Sequence, residues 1–136
     1  FSLELARIYQ YIYQETNKNF SIVHNIDGYD EVSLTDAFKM ISNKGEKLLT
    51  PEELGFPDNK PEDIHGGNTV EESAGIFKEV LTGNGTNAQN NTVLANAALA
   101  INTIDPVLSF NQSLEKAVNS LKGGKAAKAL EVLLEI

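Results

Sequence analysis

The spacing of apolar residues changes twice along this chain of 136 residues, and the changes limit the folds it can adopt. Near the start, apolar side chains recur three or four residues apart, which is the spacing of one helix face. These residues are Leu5, Ile8, Tyr9, Ile12 and Tyr13. Residues 20–49 instead hold short apolar runs and alternating patterns, which are typical of strands. Helical spacing returns from residue 69 onwards, so the chain predicts a small sheet with helices packed on it.

Turn and cap signals divide the first half of the chain into short elements. We predict a strand at residues 20–24 and two strand-like runs within residues 31–49, separated by a turn signal at residues 43–45 (NKG). Residues 50–53 (TPEE) combine a capping Thr, a Pro at the first helical position and a Glu three residues after the cap, so a short helix is expected there. Residues 56–67 contain two Pro and two Gly and are predicted to form a loop.

The second half of the chain contains four predicted helices. Thr69 and Glu72 fit a capping box at the start of the first helix. The apolar residues of the four helices fall in residues 76–81, 93–101, 114–121 and 126–136. The sequence thus predicts an α/β fold in which a small mixed sheet in the front half is covered by a run of helices in the back half. Such a sheet leaves edges and faces uncovered, so we expect residues 1–136 to be a single segment of a larger α/β domain.

Composition excludes several classes of function. The chain has no Cys, which excludes disulfides, thiolate metal sites and a thiol nucleophile. Its formal net charge of −8 argues against binding to nucleic acid or anionic membranes, because both need an excess of positive charge. No apolar stretch approaches the roughly 20 residues that span a bilayer, and no signal-peptide pattern is present. We therefore predict a cytoplasmic protein with neither nucleic acid nor a membrane as a partner.

Three carboxylates follow the predicted strand at residues 20–24. Asp27, Asp30 and Glu31 lie within five positions on a turn that contains Gly28. Mg²⁺ takes one or two carboxylates together with substrate phosphates, so this turn is a candidate site for the ion. Adjacent carboxylates repel each other unless a cation is bound. A solvated acidic turn is the other interpretation, and composition alone favours it.

Two further features have both a chemical and a structural interpretation. His24 or His65 could act as a catalytic base, but a hydrogen-bonded histidine at a strand end or in a loop is the commoner outcome. Gly66 and Gly67 precede a predicted helix N-terminus that could hold an anion on its backbone N–H groups. The simpler interpretation is that the glycines turn the loop before Thr69 caps the helix.

Five segments of the chain resemble, in the same order, motifs of the anthranilate phosphoribosyltransferase family. Residues 23–33 (VHNIDGYDEVS) are similar to V-H-G-x-D-G-x-D-E-I/V-S, and residues 49–55 (LTPEELG) to L-T-P-E-D/E-F/L-G. Residues 66–74 (GGNTVEESA) are similar to G-G-x-x-E-E-N-A with one extra residue, and residues 93–98 (VLANAA) to V-L-x-N-A-A. Residues 124–134 resemble the family's closing G-K-A helix. The resemblance covers essentially the whole chain and departs from the family at Asn25, where the family has Gly.

The resemblance implies an activity and a site. The family transfers phosphoribosyl from phosphoribosyl pyrophosphate to anthranilate in tryptophan biosynthesis, with Mg²⁺ as cofactor. Asp30 and Glu31 match the family's Mg²⁺-binding pair, which contacts the pyrophosphate through the metal, and no catalytic side chain is implied in this segment.

The resemblance also implies where the segment belongs in the enzyme. It corresponds to the carboxyl-terminal part of the family's large α/β domain. The pyrophosphate loop, the anthranilate contacts and the helical domain that makes most of the homodimer interface lie upstream. The segment alone is therefore expected to be inactive.

Two alternatives remain open from the sequence. The chain is also compatible with a pyrimidine-nucleoside phosphorylase-like enzyme or a paralogous phosphoribosyltransferase, because these share the overall fold. The second alternative is a non-enzymatic acidic module that binds a partner through the apolar face of its last helices.

Overall fold

The structure, a computed structural model, describes residues 2–136. In this range the chain forms one helix, three strands and then four further helices. The helices are α1 (Leu3–Gln14), α2 (Val70–Leu81), α3 (Asn87–Ile104), α4 (Phe110–Lys122) and α5 (Lys125–Leu134). The strands are β1 (Ser21–Asn25), β2 (Phe38–Ser42) and β3 (Gly45–Leu49). Two short 3₁₀ turns, Glu52–Leu54 and Pro61–Ile64, lie between β3 and α2.

The three strands form one antiparallel sheet in the order β1-β2-β3. Ile22 of β1 lies opposite Ile41 of β2, and Phe38 of β2 lies opposite Leu49 of β3. A connection as short as residues 43–44 can join only antiparallel strands, and the predicted hairpin is confirmed there. The α/β class, with strands in the front half and helices behind, is also confirmed. The sheet of the described residues is antiparallel throughout, however, and not mixed.

Helices pack on both faces of the sheet at its β1 side, whereas β3 is exposed along most of its length. α1 packs against β1 and β2. A small core on this side consists of Ala6, Phe20, Ile22 and Ile41. Because side chains alternate along a strand, Val23 and Met40 face the other side and pack against the main core. The main core consists of Val32, Leu34, Phe38, Leu54, Phe56, Ala95 and Leu99. Since α3 supplies the last two of these residues, α3 is the support against which the sheet and the segment after β1 pack.

The strand predicted from residue 31 begins only at Phe38. Val32 and Leu34 are fully buried, as their alternation predicts, but they lie in a loop. Leu34 has a φ of 60°, which is incompatible with a strand. The prediction is wrong because the backbone groups here bond to side chains of distant segments instead of to a neighbouring strand.

The short helix predicted at residues 50–53 is a single 3₁₀ turn. The reciprocal bonds of its cap are present as predicted. The Thr50 N–H donates to Glu53 Oε2 at 2.8 Å, and the Glu53 N–H donates to Thr50 Oγ1 at 3.3 Å. The 3₁₀ turn Pro61–Ile64 lies in the segment predicted to be a loop.

The four helices predicted for the second half are confirmed as α2 to α5. α3 begins earlier than its apolar stripe predicts, because Thr86 and Gln89 form a capping box. At α2, Thr69 Oγ1 accepts the predicted hydrogen bond from the Glu72 N–H, while Glu72 accepts one from the Asn68 N–H. Within residues 2–136, no helix is both long enough and apolar enough to cross a membrane.

Candidate functional site

The acidic turn lies in the connection from β1 to β2, residues 26–37, which we call the β1–β2 loop. Asp30 and Glu31 are both exposed in this loop. The next residue, Val32, is fully buried. The two carboxylates therefore stand where the chain passes from solvent into the main core, so the backbone beside them is held by packing.

Asp27, the third carboxylate, is held inside the loop by its neighbours. Asn25 Nδ2 donates a hydrogen bond to Asp27 Oδ1 at 2.9 Å, and the Thr35 hydroxyl donates one to Oδ2. The limited burial of Asp27 raises its pKa, but the hydrogen bonds from Thr35 and Asn25, together with those from the backbone of Asp27 and Tyr29, outweigh burial and hold the pKa below its usual value. Asp27 is thus a structural carboxylate that links Asn25 to Thr35 across the loop.

Asn25 continues this network into the core. Its Nδ2 also donates to Ser33 Oγ at 2.6 Å, and Ser33 Oγ lies 2.6 Å from Thr35 Oγ1. Asn25 belongs to β1 and lies opposite Phe38. Among residues 2–136, Leu34 is the one non-glycine residue with a positive φ. The replacement of the family's Gly by Asn25 therefore requires no left-handed backbone at that position.

Asn96 of α3 joins the helix to the backbone next to Glu31. Its Oδ1 accepts a hydrogen bond from the Val32 N–H at 3.1 Å, and its Nδ2 donates to the Val32 carbonyl at 2.7 Å. The same Nδ2 donates to the Thr92 carbonyl at 2.8 Å, one helical turn earlier. A single side-chain amide therefore pairs both backbone polar groups of Val32, as a neighbouring strand would.

The next two residues of the loop are held in a similar way. The Ser33 carbonyl accepts hydrogen bonds from Asn59 Nδ2 at 3.0 Å and from the Thr92 hydroxyl at 3.2 Å. The Asn59 N–H donates to the Leu34 carbonyl at 2.7 Å. Buried backbone groups must find such partners, because an unsatisfied one costs about 1–3 kcal/mol. These contacts pair the carbonyls of Val32, Ser33 and Leu34 without a neighbouring strand.

The donor set at Asp30 and Glu31 fits Mg²⁺. The ion prefers oxygen ligands and takes one or two carboxylates while phosphates and water complete its shell. Within residues 2–136 there is no cluster of three or more His, Cys, Asp or Glu side chains that could hold a metal ion. An ion at Asp30 and Glu31 would therefore need further oxygens, which the phosphates of a substrate can supply.

The two histidines occupy different parts of the fold. His24 lies half-buried on β1, opposite Lys39 of β2. His65 is exposed on the segment before α2, where its Nδ1 accepts a hydrogen bond from the Gly67 N–H at 3.1 Å. The contact of His65 is local to that segment and holds the turn that leads into α2.

Sequence reasoning missed the three side chains that hold the loop from outside, namely Asn59, Thr92 and Asn96. A signal was present only for Asn96, which is a polar residue between the small residues Ala95 and Ala97 in the VLANAA segment. An amide in the packed face of a helix needs a partner, but the pattern does not indicate which backbone supplies it.

Comparison with known proteins places the chain in a family. The family described as "Glycosyl transferase family, a/b domain" matches residues 1–127. Anthranilate phosphoribosyltransferase of Flavobacterium johnsoniae is 48% identical over all 136 residues of the chain, which cover 41% of that protein. The corresponding protein of Bacteroides fragilis is 44% identical over the same length and is again covered to 41%. The chain thus spans about two fifths of the length of these relatives.

Solved structures agree with this assignment. Anthranilate phosphoribosyltransferase from Thermus thermophilus superposes with a TM-score of 0.85 at 26% identity, covering 96% of this chain and 39% of that one. The Saccharomyces cerevisiae protein in complex with PRPP and Mg superposes with a TM-score of 0.79 at 24% identity, covering 96% and 38%. The latter shows a shared fold. The resemblance drawn from the five sequence segments is confirmed.

Proposed function

The chain belongs to the glycosyl transferase family whose a/b domain it matches, and we propose that it supplies the Mg²⁺-binding carboxylates of an anthranilate phosphoribosyltransferase. The support is the name shared by relatives that are 44–48% identical over the whole chain. These names favour phosphoribosyl transfer to anthranilate over nucleoside phosphorolysis and over a purely non-enzymatic module.

The proposed reaction joins the amine nitrogen of anthranilate to C1 of the ribose. The bond from C1 to the pyrophosphate oxygen breaks, and the amine gives up a proton. Asp30 and Glu31 are the residues that would hold the metal beside the pyrophosphate group. When bound, Mg²⁺ neutralises part of the negative charge that develops on the departing pyrophosphate. Neither carboxylate needs to act as a nucleophile or base.

The observation that carries the proposal is the way the β1–β2 loop is built. A solvated acidic turn needs no fixed backbone, but Glu31 is followed directly by three almost fully buried residues, Val32, Ser33 and Leu34. The Val32 N–H and carbonyl are bonded to Asn96 of α3, and the Ser33 and Leu34 carbonyls are bonded to Asn59. Such preorganisation suits a site that must keep two like charges at a constant position, since a loose pair would separate.

The proposal also covers the substrates, the compartment and the oligomeric state of the intact enzyme. We propose that its substrates are anthranilate and phosphoribosyl pyrophosphate, that it works in the cytoplasm and that it forms a homodimer. The dimer rests on the family resemblance alone, and the compartment rests on the composition of the sequence.

The test is the double variant Asp30→Asn with Glu31→Gln in the full-length enzyme that carries this chain. The amides keep the size of the side chains but remove both negative charges. We expect turnover to fall by at least about a hundredfold, the scale on which active sites respond to loss of a charge-stabilising group. Steady-state rates are measured across a Mg²⁺ titration, with thermal melting to confirm folding.

A matched control is available on the 3₁₀ turn Pro61–Ile64. Glu62 and Asp63 are also adjacent, exposed and acidic, so Glu62→Gln with Asp63→Asn makes the same change of charge away from the loop. The control should keep the wild-type rate and Mg²⁺ dependence. If the Asp30 and Glu31 variant melts normally and turns over like the wild type at every Mg²⁺ concentration, the proposed role of the pair is wrong.

A further inference from the structure

Asn96 of α3 binds the backbone of a distant segment through its side-chain amide. Its side-chain amide forms three hydrogen bonds, two of them with the backbone of Val32 and one with the Thr92 carbonyl of its own helix. The Val32 N–H belongs to the peptide group that also contains the Glu31 carbonyl. Through Asn96, the 18-residue helix α3 therefore holds the peptide group that joins Glu31 to Val32.

Resting on the proposed function, we infer that Asn96 is a positioning residue for the metal pair Asp30 and Glu31. It acts through the Val32 backbone and touches neither the metal nor the substrate in this role. Groups that hydrogen-bond metal ligands fix their orientation, and loss of such a group commonly costs about 10- to 100-fold in metal affinity or activity. Asn96 acts one residue further out, through the backbone that follows Glu31. The VLANAA segment thus contributes to the metal site although Asn96 lies 64 residues beyond Val32.

A purely structural role is the competing explanation, and Asn102 on the same helix provides a matched control. Its Nδ2 donates to the Leu108 carbonyl at 2.6 Å and so holds the connection from α3 to α4. Asn96 and Asn102 are the same residue type, both are partly buried, and both hold a loop by an amide. They differ in the loop they hold, and only Asn96 holds the one that carries Asp30 and Glu31.

Two variants of Asn96 remove the contact with the Val32 backbone without weakening α3 itself, and thermal melting of each variant confirms that it is folded. Asn96→Ala removes the two hydrogen bonds to the Val32 backbone. Because Ala has a higher helix propensity than Asn, α3 itself is not weakened. Asn96→Ser keeps a hydroxyl that can donate to the carbonyl four residues earlier. Ser73 and Ser113 do this in α2 and α4, so the serine variant leaves no unpaired side-chain group in the helix.

The experiment measures metal binding without turnover. Mn²⁺, as a paramagnetic substitute for Mg²⁺, is titrated into the full-length enzyme with phosphoribosyl pyrophosphate present and anthranilate omitted, and free Mn²⁺ is followed by electron paramagnetic resonance. We expect the dissociation constant of Mn²⁺ to rise about tenfold or more in both Asn96 variants, the scale of lost outer contacts. Hydrogen exchange at the Val32 amide should also become faster. Asn102→Ala should melt at a lower temperature but bind Mn²⁺ like the wild type.

Each other outcome has a definite meaning. If a folded Asn96 variant binds Mn²⁺ as tightly as Asn102→Ala does, Asn96 is structural and the inference is wrong, while the proposed function stands. If the Asp30→Asn and Glu31→Gln enzyme binds Mn²⁺ like the wild type, the metal pair itself is wrongly assigned and the inference fails with it.

Discussion

Leu34 combines two features that are rarely found in one residue. Its side chain is fully buried in the main core, and its φ of 60° lies in the left-handed region that favours glycine. The Leu34 carbonyl is held by the Asn59 N–H at 2.7 Å. Burial of a leucine contributes about 1.5–3 kcal/mol, whereas the left-handed backbone costs a non-glycine residue about 1–2 kcal/mol. The apolar contact offsets the strain and keeps the loop in place.

The variants Leu34→Ala and Leu34→Gly separate the contribution of the buried side chain from the cost of the left-handed backbone. Each should lower the free energy of unfolding by about 2–5 kcal/mol through the cavity left in the core. Glycine adopts the positive φ without strain, so Leu34→Gly should be at least as stable as Leu34→Ala. Urea unfolding of the full-length protein measures both. A glycine variant that is less stable than the alanine variant by about 1 kcal/mol, as in ordinary helical positions, would contradict the strain argument.

At the residue scale, the sequence predicts the charged members of the candidate site but not the residues that hold them. Asp30 and Glu31 stand out because three carboxylates fall within five positions on one turn and because the pair matches a family motif. Asn59 and Asn96 do not stand out, since their partners are backbone groups 26 and 64 residues away. Backbone carbonyls and N–H groups are present at almost every position, so no sequence pattern marks which of them a side chain will reach.

At the scale of elements, the segment before α2 shows how a turn and a helix cap depend on each other. Gly67 has a φ of 93°, and a Cβ added there would lie 2.9 Å from Glu72 Cβ and 3.0 Å from the Ser73 nitrogen. The first turn of α2 is thus packed directly against the glycine. Gly66 has no atom within 4 Å of an added Cβ, and no positive φ restricts it.

Alanine substitutions at the two glycines should therefore have opposite effects. Gly67→Ala should lower the free energy of unfolding by about 1–3 kcal/mol, because the left-handed backbone and the close approach both disfavour a side chain. Gly66→Ala should be neutral or stabilise by up to about 1 kcal/mol through a less flexible unfolded chain. Unfolding curves of the two variants check this. Equal loss of stability in both would show that neither the conformation nor the close contact matters.

Element prediction succeeded where one face of an element is buried and its ends carry local caps. α2 to α5 and the hairpin of β2 and β3 are of this kind, because periodicity and turn residues are local signals. Residues 31–37 lack such local signals. The alternation of Val32 and Leu34 indicates that these side chains are buried, but it does not indicate which groups the backbone is hydrogen-bonded to. A loop fixed by side chains of distant segments gives the same apolar pattern as a strand, and only tertiary structure separates the two.

At the scale of the whole molecule, the described chain leaves a wide apolar surface on α1. Within the part of the chain that the structure describes, Ala6 is the only buried residue of this helix. Ile8, Tyr11 and Ile12 are more than half exposed. The stripe predicted from the sequence is thus present but largely uncovered. Contiguous exposed apolar faces mark interaction sites, and that residues 1–136 are one segment of a larger domain stays a prediction.

A protein made of residues 1–136 alone is expected to show no transfer of phosphoribosyl to anthranilate. The chain spans about two fifths of the length of the relatives it matches. On the proposed site, Asp30 and Glu31 by themselves would leave most of the octahedral shell of Mg²⁺ to water, which the ion gives up reluctantly. Calorimetry should therefore detect no Mg²⁺ site tighter than about millimolar. Loss of anthranilate fluorescence in the presence of phosphoribosyl pyrophosphate and Mg²⁺ measures turnover, with the full-length enzyme as the positive control. Turnover above background would show that the segment contains a complete active site, and a micromolar Mg²⁺ site would indicate a dedicated cation-binding module.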